Sequence, residues 1–481
     1  MKITERFSIT AHQHELDFVD VDTDTDTPLF LDPFFIGIRQ DAWSKAATLT
    51  LRNFFQTFVE LARAGESARA RAMFDHLHEP NETCLGLSRG TPQGRAIGRF
   101  DADKLFESII QSDALDSGVV EDLEDFRLFI PGIDKDKISD MTTNILRRHL
   151  VDYTKKQCEL WKIPLSPNRP IGFYWNSATR RWENSNDEIL VIDERKILLV
   201  PKSVVSFVRR YTPQKYYRSF VLEYLQHENI SMMTSLVQHR KDGSPFVTKD
   251  SLIETVAPYS KEFVSEFTKN HPSVFSDFKR WAEENSSPVN NYEICDEDPR
   301  LVSRYLITQL AAIEAGSTEA NRYHKLCVGA LEFLLYPSLV SPAVEREINE
   351  GRKRIDITFD NAATSGFFHR IHAVSKVPAQ FVSVECKNYS KSVANPEVDQ
   401  LLGRFSVNHG CVGLLMFRQV DDLERLIARC SDAWIANKHL IIPISDLDLV
   451  SMLEGVIAEG SEFVDTFFNT RYRAIATRGP L

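Results

Sequence analysis

The apolar residues change period along the chain, and each change marks a different kind of structure. Leu51–Ala64, Asp103–Leu115 and Ile138–Tyr153 carry them at helical spacing, the last through Ile138, Met141, Ile145 and Leu146. That pattern predicts a mixed, mainly helical opening region, residues 1–166. From Ile171 to Val205 the segments shorten: Phe173-Tyr174-Trp175, Arg181-Trp182-Glu183, Glu188–Ile192 and Lys196–Pro201 read as strands between Asn, Asp and Ser turns. Helical spacing returns from Val204 to Phe278. Glu284–Asp298, with Ser286-Ser287-Pro288 and Asn290-Asn291, reads as a linker. The expected division is therefore 1–166, a strand-rich then helical 167–285 for sensing or target selection, a linker and connecting helix over 286–318, and a last domain over 319–481.

In that last domain a helix over Tyr323–Tyr336 leads into strand patterns. Glu345 to Asp356 reads as a strand, a Gly-centred turn and a second strand; FVSVECK then gives a third. Successive strand residues point to opposite faces. Val382, Val384 and Cys386 share one face, and Ser383, Glu385 and Lys387 the other. On the preceding strand Ile355, Ile357 and Phe359 are apolar, while Arg352, Arg354 and Asp356 alternate with them. Pairing the apolar faces in one core brings Asp356, Glu385 and Lys387 into one cleft, with two arginines beside them. A helix holding Asp399, Gln400 and Arg404 follows, then a buried strand (Cys411–Phe417), a helix after Asp421-Asp422 and a strand over Leu440–Ile444.

Two carboxylates and a lysine on neighbouring strand edges suit metal-dependent phosphodiester hydrolysis. Mg²⁺ prefers hard oxygen ligands, usually one or two carboxylates with waters and phosphate oxygens. Asp356 and Glu385 can supply the carboxylates, and the backbone carbonyl of Cys386 lies between Glu385 and Lys387 in sequence. Lys387 could orient the attacking water or offset charge developing on phosphate. Arg352 and Arg354 suit phosphate oxygens through paired guanidinium donors.

These residues resemble the PD-(D/E)XK nuclease superfamily, with Ile355-Asp356 as a degenerate "PD" and Glu385-Cys386-Lys387 as the "ExK". The resemblance covers roughly the last third of the chain. It implies an α+β N-terminal region joined to an α/β restriction-endonuclease-like (αβββαβ) domain with a mixed central sheet. It further implies a Mg²⁺-dependent endonuclease, with Mn²⁺ as a substitute metal and DNA favoured over RNA. Gln400, three residues after Glu397 on a helix, resembles the family's supporting glutamine, and Arg404 falls among the nucleic-acid-binding positions. The family often has a glutamate on the first helix, where Glu332 stands. Leu326, Ala330 and Leu334 mark that helix's apolar face and Glu332 lies away from it, so a solvated glutamate and a metal ligand are equal readings. Glu345 and Glu347, alternating on one face of the preceding strand, are rival ligands. A nuclease joined to a front part without a catalytic motif resembles bacterial defence effectors. Homo-oligomerisation, or a protein partner or trigger acting through the N-terminal region, is compatible with that reading. The rival is an inactive nuclease-like protein that binds nucleic acid or serves as a scaffold.

Composition narrows this picture. The 481 residues carry a net charge of −11, but the segment from about Ala320 is close to neutral. That argues against a broad DNA-coating surface and leaves room for a local basic cleft. The seven cysteines form no CxxC pair and favour a reducing cytosol over a disulfide framework or zinc ribbon. With no signal-peptide pattern and no membrane-length apolar run, a cytoplasmic protein without membrane contact is expected.

Other motifs fall away. Asp22–Asp26 opens like a calcium loop but lacks its mid-loop glycine and final glutamate, so it reads as an acidic surface loop. Gly86-Leu87-Ser88-Arg89-Gly90 matches GxSxG by letter, yet Thr91-Pro92-Gln93-Gly94 cannot start the helix a nucleophile elbow needs. Gly86–Gly98, with Arg89, Arg95 and Arg99, lacks the ending of a phosphate-binding loop and reads as a basic loop; nucleotide binding there is the alternative. The pairs His12/His14, His76/His78 and His369/His372 have no cysteine at zinc-ligand spacing. The aromatics of Phe173–Trp182 read as core or cross-strand pairs ahead of base-stacking platforms.

Overall fold

The computed structural model describes residues 1–86, 99–110, 112, 119–344, 357–393 and 395–479. Asp356, Arg352, Arg354, Glu345 and Glu347, with Ser88 and the arginines of the Gly86–Gly98 loop except Arg99, lie outside the described residues.

The front part is helical around a small sheet. A helix over Ala42–Arg63 starts earlier than its apolar spacing suggested, because Asp41 caps it by accepting from Ser44 N–H. The single helix expected over Ile138–Tyr153 is two, Lys135–Ile145 and Arg147–Trp161, broken where Leu146 leaves helical geometry (ψ 7°). Apolar periodicity runs through this break because both helices bury faces in the same core. Strand β1 (Phe30–Leu31) pairs far along the chain with β5 (Val205–Ser206). Between them β2 (Ser166–Asn176), β3 (Arg181–Ile192) and β4 (Arg195–Ile197) form an antiparallel sheet. Trp175 and Trp182 face each other across β2 and β3, and both meet Phe54 edge-on. Those aromatics are cross-strand and core pairs. Helices follow, interrupted by the hairpin β6 (Gln238–His239) and β7 (Pro245–Phe246).

The C-terminal part is built on a five-stranded mixed sheet. Its strands are β8 (Leu339–Ala343), β9 (Ile357–Asn361), β10 (Phe381–Lys387), β11 (Val412–Phe417) and β12 (Leu440–Ser445), in the order β12-β11-β10-β9-β8. The first three in that order are parallel, and β9 and β8 join antiparallel. All six residues of β11 are buried, as expected for a parallel strand covered on both faces. The helix Ala320–Leu335 packs on the sheet, and the helix Leu423–Asn437 is capped by Asp422. Buried apolar side chains form one continuous cluster from Ile3 to Ile475. Among the described residues no helix is long and apolar enough to cross a membrane.

Candidate functional site

Alternation along β10 decides what faces what. Val382 and Val384 sit opposite Phe359 and Ile357 of β9, so the apolar faces of the two strands coincide as their spacing predicts. Cys386 belongs to that face, near enough to Tyr323 of the helix Ala320–Leu335 to help push the phenol's pKa upward, behind the larger effect of burial. Ser383, Glu385 and Lys387 occupy the opposite face, in register with Gly413, Leu415 and Phe417 of β11.

Gly413 explains how a helix comes so close to that face. A Cβ there would lie 2.9 Å from both Leu401 Cδ2 and Phe405 Cζ. The absent side chain lets the helix Asn395–Leu402 and its following turn settle over β11, which brings Gln400 to Lys387 and Arg404 to Glu385. Lys387 and Arg404 both pair with the Glu385 carboxylate. Lys387 Nζ also donates to Gln400 Oε1 at 3.0 Å. The far end of the strand is pinned by Asn388, which donates to the carbonyls of Glu314 and Gly316 at 2.9 and 2.8 Å.

Four residues chosen from sequence thus meet at one point. Glu385 is fully buried, whereas 11% of the Lys387 side chain is exposed and Gln400 lies at the surface. Arg404, expected among the nucleic-acid-binding positions, has a side chain that is 4% exposed and turned inward onto Glu385. It also stands in the turn after the helix, which ends at Leu402.

Glu332 corrects an expectation. It is not solvated. Its carboxylate is fully buried and pairs with Lys202 Nζ at 3.1 Å, also fully buried. Lys202 reaches it from the front part, over the ring of Tyr336 at 4.3 Å from the centroid. Asp17 completes the cluster, accepting from Tyr153 Oη at 2.6 Å and from Ser341 N–H, at the irregular step of β8, at 2.8 Å. Burial pushes the Glu332 pKa up to about 8 and raises that of Asp17. The helical wheel failed because this helix is covered on two sides. Near Glu332, Gly329 admits Glu15 so closely that a Cβ would lie 2.9 Å from its Oε1.

The fold also assembles a group that no local spacing revealed. Ligand atoms of His14, Cys295 and Glu297 lie within 4.8 Å of one another, the one such metal-compatible group among the described residues. Hydrogen bonds account for its arrangement: the Cys295 thiol lies 3.3 Å from Asn291 O and 3.8 Å from Glu297 Oε2, and His14 Nε2 lies 3.3 Å from Glu297 O.

Comparison with known proteins reaches only the front part. Residues 8–212 match a family model described as "Domain of unknown function (DUF8370)", a match that ends well before the five-stranded sheet. No curated protein and no solved structure matches the chain.

Proposed function

We propose that the C-terminal part is a restriction-endonuclease-like nuclease domain that hydrolyses phosphodiester bonds of DNA with Mg²⁺. The observation that carries this reading is the meeting of Glu385, Lys387, Gln400 and Arg404 on one sheet face. The order of the main elements supports it: helix, β8, β9, β10, helix, β11 follows the αβββαβ sequence of the resembled family, with a short helix (Gly366–His369) and a π-helical turn (Arg370–Val374) inserted between β9 and β10. Asp356 is the remaining member of the reading. It is bonded to Ile357, whose partner Val384 is bonded to Glu385, and consecutive Cα atoms are about 3.8 Å apart.

The donor set suits a hard cation. Glu385 lies buried among positive groups, so this is a place where its negative charge is already compensated. Glu385, Asp356 and the Cys386 carbonyl would hold Mg²⁺, with Mn²⁺ as a substitute. Bound there, the ion would lower the pKa of a coordinated water and offset charge on phosphate. Lys387, released from Glu385, would orient the water or meet the phosphate, and Gln400 would fix its ammonium by the bond already present. Arg352 and Arg354 would hold substrate phosphates. A defence role, with the front part sensing or selecting, rests on the resemblance of architecture.

One observation favours the rival reading of an inactive, nucleic-acid-binding fold. Glu385 is engaged by two cations, and a metal must displace at least one. Incubating the protein with linear, circular and single-stranded DNA, with and without Mg²⁺, separates the two. Metal-dependent cutting that disappears in Glu385→Ala and Lys387→Ala supports the nuclease. DNA binding without cutting supports the rival.

A further inference from the structure

A cleft of about 510 Å³ opens between the front part and the edge of the five-stranded sheet. That volume falls in the range of roughly 300–1,000 Å³ common for small-ligand sites. Trp43 and His149 come from two front-part helices, and Phe381, Asp360 and Thr358 come from β10 and β9. Its address is informative. Thr358 is in register with Ser383, and Asp360 with Phe381, so they lie on the sheet face that carries Glu385. Phe381 precedes Glu385 by four residues on one strand, about 13 Å at 3.3 Å per residue.

The lining selects a kind of ligand. Half-buried Trp43 and Phe381 offer flat apolar surface. Gln157, 1% exposed, donates through Nε2 to Pro342 O at 3.0 Å; its Oε1 makes no hydrogen bond among the described residues. Asp360, whose pKa burial pushes up to about 7, supplies another carboxyl acceptor, and Asp152 adds negative charge. A phosphate is disfavoured against these carboxylates. An uncharged aromatic ring bearing N–H donors is complementary to them. Lys156, exposed among the lining residues, is the cationic group left for a flanking phosphate, and His409 adds an exposed imidazole beside it.

We propose that this cleft receives one unstacked base of a nucleic-acid strand lying across the sheet face, held against Trp43 and Phe381, with Gln157 and Asp360 favouring bases that carry an exocyclic amino group over thymine. This rests on the nuclease reading for the strand's presence, and adds base selection by the front part at a fixed distance from the cutting point. Stacking on an aromatic side chain serves every base; the acceptors supply the preference.

The test uses the full chain in EDTA, so that binding is read without cleavage. The probe is a short oligothymidylate with a single 2-aminopurine, an amino-bearing fluorescent base. We expect its fluorescence to be quenched on binding and its affinity to exceed that of unsubstituted oligothymidylate. Trp43→Ala should weaken binding roughly 5- to 150-fold, the range of one lost base–aromatic stack. Trp43→Phe should retain most of it, separating stacking from folding. Asp360→Asn should reduce the preference over oligothymidylate. Unaltered affinity and quenching in Trp43→Ala overturn the proposal, as does equal competition by free 2-aminopurine deoxynucleoside, which would make the cleft a mononucleotide site. Cleavage by the wild type in Mg²⁺ is scored separately. Quenching without cleavage keeps the cleft and removes the nuclease; cleavage without dependence on Trp43 does the reverse.

Discussion

Glu385 and Glu332 are both fully buried glutamates that pair with a lysine, and they do opposite things. Glu332 and Lys202 are sealed together between the front part and the sheet, with Asp17 beside them. Glu385 lies at the end of a strand under a lysine that still reaches water and a glutamine that is exposed. Burial makes both carboxylates hard to leave alone. What differs is whether the compensating cation can move away. At Glu332 it cannot, so the pair locks two regions together. At Glu385 one of the two can: Lys387 still reaches water while Arg404 is buried, so the proposed nuclease site has one cation to release when metal or phosphate arrives.

The strongest way to break this comparison is to remove the sealed cation. Lys202→Met leaves Glu332 without its counter-ion in the interior. Removing one partner of a buried pair costs about 3–5 kcal/mol, while replacing both with apolar residues is often neutral or better. Lys202→Met should therefore lower the urea midpoint severely above about pH 8, where Glu332 is ionised, and Lys202→Met with Glu332→Leu should restore most of it. A mild effect of the single change would mean the junction is wetter than its burial indicates.

Glu385→Ala should reverse the pattern. Loss of one preorganised electrostatic group at a reacting centre typically costs about 10²–10³-fold in rate. Metal-dependent DNA cleavage should fall by at least that much. The melting temperature should fall less than in Lys202→Met, because one of the two partners, Lys387, can turn to solvent while only Arg404 stays buried. If cleavage survives while stability collapses, Glu385 belongs with Glu332 as a structural charge.

Much of the sheet-face site was legible because strand alternation is a local rule. VSVECK separates into two faces by counting, and the described register agrees with that count as far as Ile357 opposite Val384. The helix over Gln400 was legible too, although its close seat on Gly413 was not. What failed needed knowledge of a second layer. A helical wheel with one apolar stripe puts Glu332 in water; it cannot see that Lys202, 130 residues earlier, seals the other side. His14 with Cys295 and Glu297, and the cleft between Trp43 and Phe381, likewise join segments with no local relation.

The sealed carboxylate also predicts a pH dependence. Burial raises the folded-state pKa of Glu332 to about 8, from an ordinary value of 4.5. The folded protein then keeps a proton that the unfolded chain releases. Its contribution is full below about pH 4.5 and decays as pH rises towards 8. The slope is at most about 1.4 kcal/mol per pH unit. Glu15, pushed up to about 7 by burial, acts in the same direction. Urea unfolding from pH 5 to 8 should show declining stability, and Glu332→Gln, which mimics the protonated form, should flatten the curve. A wild-type curve that rises over this range would contradict the assignment.

The smallest expected effect separates Lys387 from its support. Gln400 makes one hydrogen bond to the ammonium, at 3.0 Å, and lies at the surface. Hydrogen bonds to charged groups contribute about 1.5–3 kcal/mol, and exposure places this one at the low end. Gln400→Ala should slow cleavage roughly tenfold while leaving the melting temperature nearly unchanged, since water replaces the lost acceptor. The decisive readout is how that loss combines with Lys387→Ala. If Gln400 acts only by orienting the lysine, the double variant should be no slower than Lys387→Ala alone. Additive losses would mean that Gln400 meets substrate or water directly, and the glutamine would then belong to the chemistry instead of to the positioning of Lys387.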